Sequence, residues 1–291
     1  MAQQIAAPPT VVKKRGRGRP KNAESSVVPL LQEGTTKAER IQLLFNKWYG
    51  CRKCELCNYR DERAADNVDD ICFGEGNPDA HCVIVGEGPG EEEEAHSIPF
   101  IGRSGMLLNQ ILASTSDNLE IRASHVEYGR LPRRETKAID QSVRKFNEYW
   151  VNWRHTEFFV TNAVACRPPE NRTPNYAEIK ACWERLWNLI YIIDPMVIIA
   201  CGNSALSALM QKVSVQISKM RGSVIDISHN GWMGKVSYPV IPVYHPSYLL
   251  RKADWDQKGG DFEKTVEDVR KGLRLMDFLR NQHYGTPIPN R

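Results

Sequence analysis

Four short apolar runs constrain this chain more than any other feature: CVIV at 82–85, FFV at 158–160, MVIIA at 196–200 and VIPV at 240–243. Each breaks off into glycine or polar residues, GEGPG, TNAVACRPP, CGNS and YHPS in turn. An unbroken run of this length offers no solvent-facing side, which suits a strand of a parallel sheet covered on both faces. Helical patterns fall between the runs, at 104–112 and 175–193, and after them at 261–279. Ahead of the first run, 37–49 reads as an amphipathic helix with Ile41, Leu44, Phe45 and Trp48 on one face. GSVIDI and KVSYPV flank 228–234 as a hairpin. The alternation predicts an α/β domain over 37–282, three-layered α/β/α around a central, mainly parallel four-stranded sheet.

Open sheets of this kind bind ligands beyond the carboxyl ends of their strands. The turn at 86–90 has Gly86, Gly88 and Gly90, so its backbone can bend tightly and approach a ligand. Glu87, Asn162, Asn203 and His245 all stand at strand ends and are expected to gather along one edge. Each alone has a plainer reading: asparagine caps turns, a lone histidine is usually structural, and acids at 91–94 suit a helix start. Their shared placement is the signal.

At 291 residues the chain can bury one substantial core. No apolar run approaches the roughly 18 residues of a membrane span, and the N-terminus lacks the basic-then-apolar pattern of a signal peptide, so a soluble, cytoplasmic protein is expected; a monomer is expected as well. In a reducing compartment, eight cysteines point to metal or cluster binding, or to buried thiols, before disulfides. CRKCELC spaces Cys51, Cys54 and Cys57 so that thiolates converge, with partners expected downstream at Cys166 and Cys182. Cys72, Cys82 and Cys201 read as small buried apolar residues.

The charge is uneven. Six of the 39 basic residues lie in the first 22 positions, which hold no acid, leaving 33 basic groups against 35 acidic ones. Too few apolar residues accompany that basic tail for it to fold alone. Its Arg17-Gly18-Arg19-Pro20 resembles the core of an AT-hook, in which a thin extended backbone lays two arginines along the A/T-rich minor groove. A generic tail touching phosphates is the plainer reading. Residues 23–36 read as a linker and 283–291 as a terminal tail. Residues 113–155 read as an insertion, whose Arg130, Arg133, Arg134 and Lys137 suit either a solvated excursion or DNA-backbone contact.

GEGPGEEE with PFIGRSG, then TNAVACRPPENRTP, then HPSYLLR, together with CRKC, resemble the family 4, iron-sulfur uracil-DNA glycosylases, in the family's order over 51–251. The resemblance implies a DNA repair hydrolase that flips uracil from DNA and cuts its N-glycosidic bond, leaving an abasic site. Its substrate would be single- or double-stranded uracil-containing DNA, in the cytoplasm near the nucleoid, or in a host's cytoplasm if the source is viral. By the same resemblance Cys51, Cys54, Cys166 and Cys182 would hold a 4Fe-4S cluster; zinc is the alternative, and Cys57 is an extra thiol.

The family's roles carry over residue by residue. Phe100 would stack on uracil, Asn162 would read O4 and N3–H, and His245 would donate to O2. Glu87 and Gly88 would line the reacting end, Glu93 would lie against the C5 edge, and Arg251 would touch the DNA backbone. Three features depart from better-known uracil glycosylases or from the family: Gly88 replaces a water-activating Asp, 113–155 is long, and the hook is additional. Two rivals remain: a non-catalytic DNA-binding member of the same fold acting in replication or repair, and a nuclease binding a divalent metal at 91–94.

Overall fold

The computed structural model describes residues 35–63, 71–115, 154, 157–231, 234–252 and 258–284. The tail with Arg17 and Arg19, most of 113–155 and the last seven residues lie outside the described residues.

The expected parallel core is present: β2 (Cys82–Gly86), β3 (Phe158–Asn162), β4 (Val197–Cys201) and β6 (Gly234–Val243) lie in the order β3-β2-β4-β6, all parallel. Two antiparallel edges extend it to six strands, β1 (Glu75–Gly76) beside β3 and β5 (Ile225–Gly231) beside β6. The four-stranded expectation undercounted for a physical reason. KVSYPV and VIPV form one ten-residue strand, whose first part pairs with β5 alone and whose last part joins the buried core. β1 is only two residues long, and a Cβ on Gly76 would lie 2.2 Å from Phe158 O, so glycine is what allows that edge to close.

Side-chain alternation divides the core into two layers. Val83, Val85, Phe159, Ile198, Ala200 and Val240 face one cluster, packed by α1 (Lys37–Trp48), α5 (Tyr176–Ile193) and α6 (Gly202–Met210). Cys82, Ile84, Phe158, Val160, Ile199 and Ile241 face the other, packed by α4 (Arg103–Thr115), α8 (Pro246–Arg251) and α9 (Asp261–Tyr284). Both faces are therefore dry, which is why these runs lack polar residues. Cys72, Cys82 and Cys201 are buried as expected.

Local signals fix the helix starts. Thr36 with Glu39 and Asn175 with Glu178 form reciprocal capping boxes on α1 and α5. Three short helices complete the path: α2 (Leu56–Arg63), α3 (Glu91–His96) and α7 (Ile217–Met220). The chain leaves β2 toward the α4 layer and β3 toward the α5 layer, which opens a crevice between their carboxyl ends. Among the described residues, no helix is long and apolar enough to cross a membrane.

Candidate active site and cysteine hollow

Gly86 and Asn162 stand level in the β2–β3 register, and the loops beyond them are joined by Ala163 N–H to Gly86 O (2.9 Å) and Val164 N–H to Glu87 O (3.1 Å). A Cβ on Gly86 would lie 2.3 Å from Asn162 Oδ1 and 2.5 Å from the Phe100 ring. The bare glycine is thus a floor over which the amide and the aromatic converge. One on Gly88 would meet Val164 Cγ2 at 2.8 Å, so this turn also packs closely against the β3 loop. Buried Arg185, on α5, locks the backbone beneath: it donates to Asn162 O, to Phe73 O (2.8 Å) and to Thr161 Oγ1 (3.1 Å). The Asn162 side-chain amide makes no hydrogen bond among the described residues, leaving its donor and its acceptor to a ligand.

Phe100 is 4% exposed and has φ +56°, a left-handed backbone that a bulky residue rarely adopts. Arg154, fully buried, donates to Pro99 O (3.1 Å), to Phe100 O (3.1 Å) and to Asn109 Oδ1 (2.9 Å). Glu93 ties down the same turn: its carboxylate accepts from Gly102 N–H (2.9 Å) and from Gly90 N–H (3.2 Å).

His245 caps α8 and is part-buried, its ring 5.8 Å from that of Phe100 at a 31° tilt. Ser247 N–H donates to His245 Nδ1 (3.1 Å), so the neutral ring carries its proton on Nε2. Arg251 Nη1 donates to Ser247 Oγ (3.3 Å), and that hydroxyl in turn points its hydrogen at Nδ1 (2.7 Å). Burial, aided by the Arg251 cation, pushes the imidazole pKa down to about 4. Glu87 is half-buried; burial raises its pKa, opposed by the Ser204 hydroxyl that donates to Oε2 (2.7 Å) and by Arg251.

Glu87, Phe100, Asn162, His245 and Arg251 thus come together, with Gly88 in the adjoining turn. Asn203 does not join them, because its exposed side chain accepts from Ile217 N–H (2.8 Å). The acidic run is likewise engaged: Arg167 reaches Glu91 (3.6 Å) and Glu94 (3.5 Å), while Glu93 serves backbone donors. These contacts engage three of the four carboxylates that the nuclease reading needs.

On the other layer, Cys51, Cys54, Cys57, Cys166 and Cys182 line one hollow with Trp48, Leu56, Ile71, Ala165 and Ala181. Burial pushes the Cys54 thiol to about 11 and the Cys166 thiol to about 12. Buried Arg60 donates to Cys166 Sγ (3.8 Å) and to Cys51 O (3.4 Å). Among the described residues, no three His, Cys, Asp or Glu side chains come close enough to grip a single metal ion.

A family model described as the uracil DNA glycosylase superfamily matches residues 73–270. The chain belongs to the uracil-DNA glycosylase superfamily. It is 38% identical over 242 residues to the type-4 uracil-DNA glycosylase of Thermotoga maritima, covering 83% of this chain and 97% of that protein. It is 31% identical to the type-4 enzyme of Pyrobaculum aerophilum (78% and 91% covered) and 28% identical to that of Archaeoglobus fulgidus (83% and 100%). In this superfamily member, sequence reasoning missed Arg154, Arg185 and Ser204. Ser204 lies one residue beyond Asn203 on α6, and it is Ser204 whose hydroxyl reaches Glu87. The two arginines stand in no motif, and nothing in the sequence marks them.

Proposed function

We propose that this chain is a DNA repair glycosylase that flips uracil out of DNA and hydrolyses its N-glycosidic bond, leaving an abasic site. The observation that carries the reading is the unengaged Asn162 amide, set over Gly86 beside Phe100 and a His245 whose proton is on Nε2. Uracil presents an acceptor at O4 and a donor at N3, and one amide satisfies both; cytosine reverses the pattern. Phe100 supplies the stacking face.

Cutting the bond leaves negative charge on the base and positive charge on the sugar. His245 Nε2–H donates to O2 as that charge grows, and because its ring stays neutral it needs no proton from solvent. Ser204 engages Oε2 of Glu87, which leaves Oε1 to accept from water or to face the cationic sugar. Glu93, held by two backbone donors, keeps its carboxylate fixed along the C5 edge. Arg251, exposed at the end of α8, contacts DNA phosphate.

Cys51, Cys54, Cys166 and Cys182 hold a 4Fe-4S cluster in this reading. Their shared hollow and the Arg60 donor on Cys166 suit a thiolate-rich, negatively charged group. A zinc ion needs four sulfurs about 2.3 Å from one point, whereas a cluster gives each thiolate its own iron. Bound there, the cluster supplies cross-linking between α5, the β3 loop and the segment after α1. The basic tail adds an A/T-rich minor-groove contact through Arg17 and Arg19. Equal affinity for A/T-rich and G/C-rich duplexes would remove that part.

The test is strand scission of a labelled oligonucleotide with one uracil, using alkali to reveal abasic sites, beside a thymine control and Asn162→Ala. Scission at uracil that is lost in the variant is expected. DNA binding without scission, on single- and double-stranded substrate, would favour the non-catalytic reading instead.

A further inference from the structure

We propose that Arg154 is a positioning residue for uracil recognition, fixing the Pro99 and Phe100 backbone and so the height of the aromatic ring over Gly86. The proposal rests on Phe100 being the stacking face. Burying a guanidinium completely costs several kcal/mol unless its donors are well used. Arg154 is 0% exposed, and its fork spans two successive carbonyls, Pro99 O and Phe100 O, each at 3.1 Å. Asn109 Oδ1, on α4, fixes the fork itself at 2.9 Å.

The segment so held needs holding. A left-handed φ at a bulky residue costs about 1–3 kcal/mol and persists only where its surroundings over-determine it. Phe100 O is clamped from two sides: Arg154 donates to it, and the first turn of α4 presses against it. A Cβ on Gly105 would lie 1.8 Å from that oxygen. The ring ahead of this carbonyl has little freedom, being within 2.5 Å of a Gly86 Cβ position and 5.8 Å from the His245 ring centre. A displaced carbonyl therefore displaces the stacking face. Lysine cannot replace the fork, because a single ammonium cannot span the two carbonyls with the planar geometry of a guanidinium.

The experiment compares the full chain with Arg154→Lys, Arg154→Met, Gly105→Ala and Phe100→Leu. The readouts are inhibition by free uracil, affinity for abasic-site DNA and single-turnover rate, each corrected for folded fraction. Arg154→Lys and Gly105→Ala perturb the same carbonyl through two different contacts. Both should raise the uracil inhibition constant about tenfold while abasic-site affinity changes less than about twofold. If both fold and only melt earlier, with uracil inhibition and rate unchanged, Arg154 is structural and the proposal falls. If Arg154→Met does not fold, Arg154→Lys and Gly105→Ala decide. If Phe100→Leu leaves uracil inhibition unchanged, the stacking reading itself falls and takes the proposal with it. Inhibition weakened in Phe100→Leu but in neither of the other two refutes Arg154 alone.

Discussion

Acidification tests how His245 is held. An ordinary histidine titrates near 6.5, whereas burial brings this one to about 4. At pH 5.5 the protonated fraction is then about 3%, against about 90% for an unperturbed ring. The same shift has a sign for stability. Between pH 4 and 6.5 the unfolded chain binds a proton that the folded ring refuses, so stability falls as pH drops through that window and is unaffected above it. Integrated over the shift, the loss is about 3 kcal/mol. The geometric cause is specific: protonating Nδ1 abolishes the acceptor that Ser247 N–H and Oγ–H both use. The assay is an NMR titration of the imidazole Cε1–H, assigned with His245→Gln, alongside urea unfolding of both proteins at pH 7 and 4.5. The wild type should lose more stability than the variant. A titration midpoint between 6 and 7, or equal acid sensitivity of the two proteins, would refute the reasoning.

Ser204→Ala removes the donor on Glu87 Oε2, so the carboxyl pKa should rise further and the acidic limb of kcat/KM should move to higher pH, with about a tenfold loss of rate. An unmoved limb would show that Glu87 is not titrating in that profile. Gly86→Ala sets a methyl 2.3 Å from Asn162 Oδ1 and 2.5 Å from the Phe100 ring. Uracil inhibition should weaken about 100-fold, at a stability cost of about 1–3 kcal/mol by thermal melting; retained inhibition would mean that neither group reads the base. Arg60→Met takes the donor from Cys166 Sγ, so if the hollow holds the proposed cluster, iron should leave faster under chelator challenge than in wild type. Equal loss rates would mean that Arg60 does not support the cluster.

The parts of the fold legible in the sequence were those where one local rule decides. CVIV, FFV and VIIA read as strands buried on both faces, as they are, and the helical pattern over 175–193 starts where Asn175 caps α5. β1 escaped notice because two residues carry no periodicity, and its formation depends on how closely Gly76 can approach Phe158 O. β6 was split in two because its residues pass from a half-exposed hairpin to a buried core, changing pattern within one strand. The site was legible where residues stand in motifs at strand ends, as Glu87, Asn162 and His245 do. Arg154 and Arg185 were not, since what matters about them is which carbonyls the folded chain brings to them. Asn203 shows the converse, a residue at the right place whose side chain is spent on α7.

The cysteine hollow and the crevice at Asn162 are on different layers yet share their supports. β3 ends at Asn162 and its loop reaches Cys166 four residues later, while α5 carries Cys182 and, one turn on, the Arg185 whose guanidinium holds Asn162 O. Cys72 N–H donates to Ala165 O (2.9 Å), tying the residue before Cys166 to the segment of Phe73, whose carbonyl Arg185 also binds. Any group that cross-links Cys166 to Cys182 therefore clamps both ends of the backbone that presents the Asn162 amide. A cluster in this position would act on uracil recognition without touching base or sugar, by limiting how far β3 and α5 can slide past one another. Its removal should then weaken uracil inhibition while leaving the His245 titration unchanged, because His245 is held from α8 by Ser247 and Arg251. Measured on cluster-free protein that remains folded, an altered His245 midpoint with intact uracil inhibition would reverse that assignment.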